Sequence, residues 1–268
     1  MQGSPKGQSR LKPTTGETGL HRFLRTIPVL ALPLAAAAHA LPNADPEAAN
    51  GKEKLWETEA ELGLTTSSGN ADTTTTTGRV ASDRTGERFA LHLLAEGRYS
   101  EEDGSATSQR AHGLGQLDYN LQPRLYTFGV VEATHDRFAG YDARLQEAVG
   151  LGRHMLDRDD MAWRIEGGPA LRQEWQVDDT YENSVRARLR TLYTWNFREA
   201  SRFSQELVYN PSLENGDDYL LTSETALSFR LNSRIAFKTS VKVEHDSQPV
   251  AGAEKTDVFT TTSLLFHF

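Results

Sequence analysis

From Trp56 onward the sequence repeats one pattern about twelve times, with apolar residues on one parity and charged or polar residues on the other. Side chains of an extended strand point to opposite faces with a period of two, so each run reads as a strand with one apolar face and one wet face. Trp56, Thr58, Ala60, Leu62 and Leu64 alternate with Glu57, Glu59, Glu61, Gly63 and Thr65. Val185, Ala187, Leu189, Thr191, Tyr193, Trp195 and Phe197 alternate with Ser184, Arg186, Arg188, Arg190 and Asn196. The same alternation runs through Phe89–Tyr99, Tyr219–Leu231, Ile235–Glu244 and the closing Val258–Phe268. A tilted strand needs roughly 9–11 residues to cross a bilayer, which these runs supply, and an even strand number suits a bacterial single-chain barrel. Thr73–Ser82 is threonine-rich and weakly polarised, and Gly167-Gly168-Pro169 marks a bulge or kink within Ala162–Arg172.

The connections alternate between short and long. Short ones fall at Asp83–Gly86, Gln122–Arg124, Asp157–Asp160, Glu199–Ser201 and Asn232–Ser233. Long ones centre on Ser68-Gly69-Asn70, Glu101–Ser105, Asp136–Tyr141, Gln176–Glu182, Asn210–Asp218 and Asp246–Asp257. Short periplasmic turns and longer outside loops are the habit of outer-membrane barrels, and two periplasmic termini put every connection on its proper side. The long loops are acidic, with Asp178-Asp179 and Asp217-Asp218, and the turns carry Arg84, Arg124, Arg158, Arg202 and Arg234. Aromatics near the segment ends predict two interfacial girdles: Trp56, Tyr126, Trp163, Trp195 and Phe203 at one rim, and Tyr99, Tyr141, Trp175, Tyr209 and Tyr219 at the other.

The N-terminus predicts export. Arg22 and Arg25 precede an apolar run from Ile27 to Ala38, which is too short to span a bilayer and is followed by Ala38-His39-Ala40. Positive charge, a short apolar core and a small-x-small exit form a secretory signal, cleaved after about Ala40. The expected organisation is therefore an N-terminal extension and signal peptide over 1–40, a short periplasmic segment over 41–54, and a barrel domain over 55–268. Cleavage removes Lys6, Arg10, Lys12, Arg22, Arg25 and Glu17 from a chain of 29 basic and 37 acidic groups, leaving 24 and 36, a formal charge of −12. That balance argues against nucleic-acid binding, which needs a positive surface. There are no cysteines, so disulfides, thiolate metal sites and a lipid-anchored cysteine are excluded. A negative mean hydropathy excludes a bundle of membrane helices but not a barrel, where only alternate residues face lipid.

The chain ends on Phe268, preceded at steps of two by Phe266 and Leu264, which resembles the signal read by the barrel assembly machinery. Further stretches carry a family resemblance: Gly63-Leu64-Thr65-Thr66-Ser67-Ser68-Gly69-Asn70 with Asp72-Thr73, Asp136-Arg137-Phe138-Ala139-Gly140-Tyr141-Asp142, Ser247-Gln248-Pro249, Lys255-Thr256-Asp257, and Phe266-His267-Phe268. In order and spacing, from about Leu55 to Phe268, they resemble the salt-induced outer-membrane protein family, also called YdiY-like, whose domain has no known function. The resemblance implies an outer-membrane barrel and supplies no catalytic residues.

Chemistry is sparse. His245-Asp246-Ser247 invites a hydrolase triad, but triads converge in space, and successive strand residues face opposite ways. Gly-x-Ser-x-Gly is absent. His92, His112, His135 and His154 lie in separate segments without metal-ligand spacing, and the acidic loops show no calcium-site spacing. No cofactor is expected.

The informative set is the inward parity. Glu57, Glu59, Glu61, Glu96 and Glu166 share a polar lumen with Arg88, Arg98, Arg164, Arg172, Arg186, Arg188, Arg190, Arg230, Lys238 and Lys242. These charges either pair into ladders that fill the barrel or stand apart and line a narrow pore. Eight strands are filled by side chains and about sixteen leave a channel, so about twelve leaves both open. Arg186, Arg188 and Arg190 form either an anion-favouring ladder or a set of salt bridges to Glu57, Glu59 and Glu61.

The expected fold is all-β: a transmembrane antiparallel up-and-down barrel of about twelve strands behind a cleaved signal peptide. The expected role is a non-enzymatic narrow pore or envelope structural protein of a Gram-negative bacterium, tied through the resemblance to salt or osmotic stress. Its partners would be outer-membrane lipid and lipopolysaccharide, the assembly machinery, and small solutes or ions. The rivals are an outer-membrane lipid-modifying enzyme and a soluble periplasmic β-barrel binding protein, the latter placing the apolar parity inside.

Overall fold

The computed structural model describes residues 56–67, 73–102, 104–136, 138–139, 141–249 and 254–268. The expected signal peptide (1–40), the segment 41–54 and the Ser68-Gly69-Asn70 loop lie outside them. Twelve strands follow in order: β1 (Glu57–Ser67), β2 (Thr73–Thr85), β3 (Phe89–Glu102), β4 (Ser105–Gln122), β5 (Leu125–Asp136), β6 (Tyr141–Asp157), β7 (Met161–Gln176), β8 (Tyr181–Arg198), β9 (Ser201–Pro211), β10 (Tyr219–Arg230), β11 (Ile235–Asp246) and β12 (Thr256–His267). Each pairs antiparallel with its sequence neighbours, and β1 pairs with β12, so the sheet closes on itself. Closure removes both edges and satisfies the backbone groups that lipid could not.

The parity reading holds through most of the barrel. Leu189 is 49% exposed on the outer face while its neighbour Arg188, facing inward, is 2% exposed. Leu62, Leu64, Val185, Phe237 and Val241 are likewise exposed, and Glu61, Arg186 and Lys238 are buried. A soluble barrel or sandwich would show the reverse. Aromatic pairs mark both rims on the outer face. Phe89–Tyr119 and Trp195–Phe197 stack at the turn end, with ring centroids 5.1 and 5.5 Å apart, and Trp175–Tyr181 and Tyr209–Tyr219 at the loop end, at 5.5 and 5.6 Å.

Two of the expected girdle residues lie inside instead. Tyr126 is 1% exposed, because its ring lies over Gly152, where a Cβ would run into it. Phe128 lies against Gly150, which also packs on the Gly167 backbone, and the two rings form an inward apolar cluster with Val130, Ala148, Ala170 and Leu114. The lumen is thus apolar over the turn-end half of β5, and becomes polar from Glu132 onward. Tyr141 is turned inward by a β-bulge between Tyr141 and Ala143, since one extra residue reverses the alternation.

The Glu101–Ser105 connection is a tight turn rather than a long loop. β3 runs to Glu102 and β4 begins at Ser105, with Gly104 at φ 76°, a left-handed conformation that glycine adopts without steric cost. At Gly168-Pro169 the β6–β7 ladder is interrupted between Ala148↔Ala170 and Leu151↔Gly167 with its register unchanged, so the expected bulge is absent and the proline leaves only a local gap in the pairing. Proline has no N–H to give the ladder, and Gly168 packs directly on the backbone of Val149 and Gly150.

Candidate functional site: the charged lumen

Inside the barrel, charge is organised around Glu166 on β7. Its side chain is 1% exposed. Oε1 accepts hydrogen bonds from Tyr126 Oη (2.9 Å), Gln116 Nε2 (3.1 Å) and Arg190 Nη1 (3.2 Å), and Oε2 accepts from Arg188 Nη1 (3.4 Å). Arg188 also donates from Nη2 to Glu132 (2.9 Å) and Arg190 from Nε to Glu206. A buried carboxylate is tolerated only when its lone pairs are filled, and here four donors of β4, β5 and β8 surround it. Gln116 continues the network to Asp118 (2.8 Å), which meets His92 Nε2 at 3.3 Å, and His92 Nδ1 meets Asp83 near the turn end.

A second set of ion pairs crosses the lumen. Arg110 on β4 meets Glu244 on β11, five strands away by the shorter way round the ring. Arg79 of β2 reaches Glu224 of β10 at 3.4 Å, and Lys242 of β11 lies 3.9 Å from Glu96 of β3 and 2.9 Å from Glu244. Arg144 of β6 pairs with Glu174 at 2.7 Å and lies 3.9 Å from Asp246 of β11. What remains open is a cavity of about 750 Å³, with Asp83, Arg202 and Ser228 at the turn end and Gln248, Glu254 and Asp257 at the loop end.

Of the residues expected inside, Glu59, Glu61, Arg188, Arg190, Lys238 and Lys242 line this cavity, and Arg186 is buried beside it. Glu57, Arg88 and Arg230 are exposed, at strand ends or in a turn. The expected salt bridges from Arg186, Arg188 and Arg190 to Glu57, Glu59 and Glu61 are absent. Arg186 meets Asp218, and Arg188 and Arg190 share Glu166 and reach Glu132 and Glu206. Glu61 accepts from Lys238 Nζ (2.9 Å) and Ser263 Oγ (2.6 Å), and Glu59 lies 3.1 Å from His267. The physical reason is competition: Lys238 and His267 take Glu61 and Glu59, the arginines are taken by Asp218, Glu132, Glu166 and Glu206, and Glu57 is exposed at its strand end. Arg79, Arg110, Arg144, Glu132 and Glu206 were missed, although each falls on the polar parity of its own strand.

The other expectations resolve simply. His245 Nδ1 meets Thr256 Oγ1 (2.8 Å), Asp246 faces Arg144, and Ser247 Oγ accepts from the Tyr219 amide (2.7 Å), so these three residues form no relay. In the β7–β8 loop the hydroxyl and amide of Thr180 donate to Asp178 and hold its carboxyl below the usual range. Asp218 is engaged by Arg186. Among the described residues no group of three or more His, Asp or Glu side chains could hold a metal ion. Leu264 and Phe266 lie on the outer parity of β12, opposite Leu62 and Ala60, and Phe268 donates its amide to Thr58 O (2.9 Å) at the closure.

A family model described as "Protein of unknown function, DUF481" matches residues 60–268, from early in β1 to the last residue. The chain belongs to the DUF481 family. This DUF481 chain is 27% identical over 255 residues to "Uncharacterized protein YdiY" of Escherichia coli (strain K12), covering 91% of this chain and 98% of that protein. The YdiY-like resemblance read from the loop motifs is therefore one of family. Among solved structures, the translocator domain of autotransporter NalP from Neisseria meningitidis superposes with a TM-score of 0.50 at 11% identity, covering 88% of this chain and 93% of that one. At that identity the likeness is one of fold, an outer-membrane β-barrel.

Proposed function

We propose that this DUF481 barrel resides in the outer membrane of a Gram-negative bacterium and acts, without enzymatic activity, as a narrow aqueous passage for small solutes or ions. One observation carries the reading: a cavity of about 750 Å³ has charged and polar side chains along its lining from the turn end to the loop end, interspersed with apolar ones. Narrowness follows from the ion pairs Arg110–Glu244, Arg79–Glu224 and Lys242–Glu96, which bridge the lumen rather than its wall. The outward apolar face and its aromatic rims would contact lipid and lipopolysaccharide. A tie to salt or osmotic stress rests on the family resemblance, and a deletion strain that grows like its parent in high salt would remove it.

Conductance in planar bilayers tests the passage. Folded protein, verified by the change in gel mobility on boiling, should give small, steady single-channel currents. The double variant Arg110→Gln, Glu244→Gln removes one cross-lumen bridge, leaves Lys242 its contact with Glu96 at 3.9 Å, and should raise the unit current severalfold. Silence from verified folded wild type would leave the rival envelope structural role, with the paired charges filling the barrel.

Two further proposals concern biogenesis. Cleavage after about Ala40 predicts that the purified protein begins at Leu41, checked by intact mass. Leu264, Phe266 and Phe268 are proposed as the signal for the assembly machinery. Deleting Phe268 should cut the heat-modifiable outer-membrane fraction severalfold in cells, and unchanged assembly would retire that role.

A further inference from the structure

Arg172 is the outlier among the buried lumen cations. It is 5% exposed, yet makes no ion pair with any carboxylate of the described residues. Its Nη2 donates to Gln146 Oε1 at 3.0 Å, and its Nε has no hydrogen-bond partner. A buried charge left unpaired is strongly unfavourable unless something mobile completes it.

The neighbours deepen the imbalance. In the β6–β7–β8 register Arg172 lies level with Gln146 and Ser184, Arg144 is two residues nearer the loops opposite Glu174, and Arg186 is two residues nearer the turns opposite Ala170. Three guanidiniums thus run diagonally over three adjacent strands. Arg144 is engaged by Glu174 and Asp246, and Arg186 by Asp218, which leaves Arg172 as the one short of a partner. It also lines the cavity, in reach of whatever enters from the loop end.

We propose that Arg172 is the centre of a binding site for a small oxyanion, the carboxylate or phosphate group of a solute entering the lumen from the loop end. The free Nε and the guanidinium plane suit the two coplanar oxygens of such a group. Gln146, whose amide donates to Asn210 Oδ1 at 3.3 Å, accepts from Arg172 Nη2 and keeps that plane oriented. Lipid headgroups are excluded as the source, because the side chain faces away from lipid. This site deepens the proposed passage and rests on it only for access from the loop end.

Equilibrium dialysis of folded, detergent-solubilised protein against labelled acetate, and separately against inorganic phosphate, tests the site without any need for conduction. Wild type should take up one equivalent saturably, and whichever probe binds more tightly names the class. Arg172→Gln should weaken binding roughly tenfold or more, as expected for loss of a charged hydrogen-bond donor. Ser184→Glu is the second variant, because it keeps Arg172 and places a carboxylate directly across from it. It should abolish uptake while leaving the protein folded by the gel-shift criterion. Absence of saturable uptake by folded wild type overturns the site, as does full uptake by either folded variant. A binding yet non-conducting protein would sink the passage and keep the site, and a conducting, non-binding one would do the opposite.

Discussion

Replacing Glu166 with Ala should lower the stability of the folded barrel by about 3–5 kcal/mol, the usual range when one partner of a buried ion pair is removed. Four side chains converge on this carboxylate, and two of them, Arg188 and Arg190, keep their charge when it is gone. Arg188, 2% exposed, retains Glu132, and Arg190 retains Glu206, but each loses its inner contact. The Tyr126 hydroxyl loses its acceptor as well. Urea unfolding of protein refolded into vesicles measures the effect. Glu166→Gln, which keeps one acceptor oxygen, should fall between wild type and Ala. A loss below about 1 kcal/mol would mean that lumen water already satisfies these arginines, and the picture of a packed charge hub would fail.

Gly168→Ala should be at least as damaging, at or above the roughly 3 kcal/mol that marks the top of the usual range for overpacked sites. A Cβ at this position would land on the carbonyl of Val149 and the Cα of Gly150, and backbone of a neighbouring strand cannot swing aside. The β6–β7 ladder is interrupted here at Pro169 with its register unchanged, so the close approach is part of how the two strands stay paired across the gap. Gly97→Ala is the matched control. It has nothing within 4 Å of the added methyl and should leave stability nearly unchanged. Loss of the heat-modifiable species for Gly168→Ala alone is the expected outcome, and equal behaviour of the two variants would refute the close-packing argument. Gly152→Ala is informative in a different way: its methyl would meet the Tyr126 ring, a side chain that can move, but only by giving up its bond to Glu166.

Much of the barrel is legible in the residues alone, and the misreadings have specific causes. Arg186, Arg188 and Arg190 announce an inward face because they alternate with Val185, Ala187 and Leu189. Tyr126 reads as a girdle residue because it lies beside a turn, and only Gly152 on the next strand shows that the lumen has room for its ring. Tyr141 misleads because a bulge reverses parity, and a bulge leaves no mark in a simple count of odd and even positions. Glu101–Ser105 looks like a loop by its charges, yet Gly104 lets the chain reverse within two residues between extended strands.

The one-dimensional pattern therefore determined the number of strands, their faces and the ends at which chain reversals sit, because side-chain direction in a strand is a local property that repeats every two residues. Which charge meets which was decided only by closure. Arg110 finds Glu244 134 residues away, and Arg172 is left without a carboxylate partner among the described residues, because the ring and the stagger of its strands set the distances across the lumen. Those distances depend on all twelve registers together, and no single segment contains them.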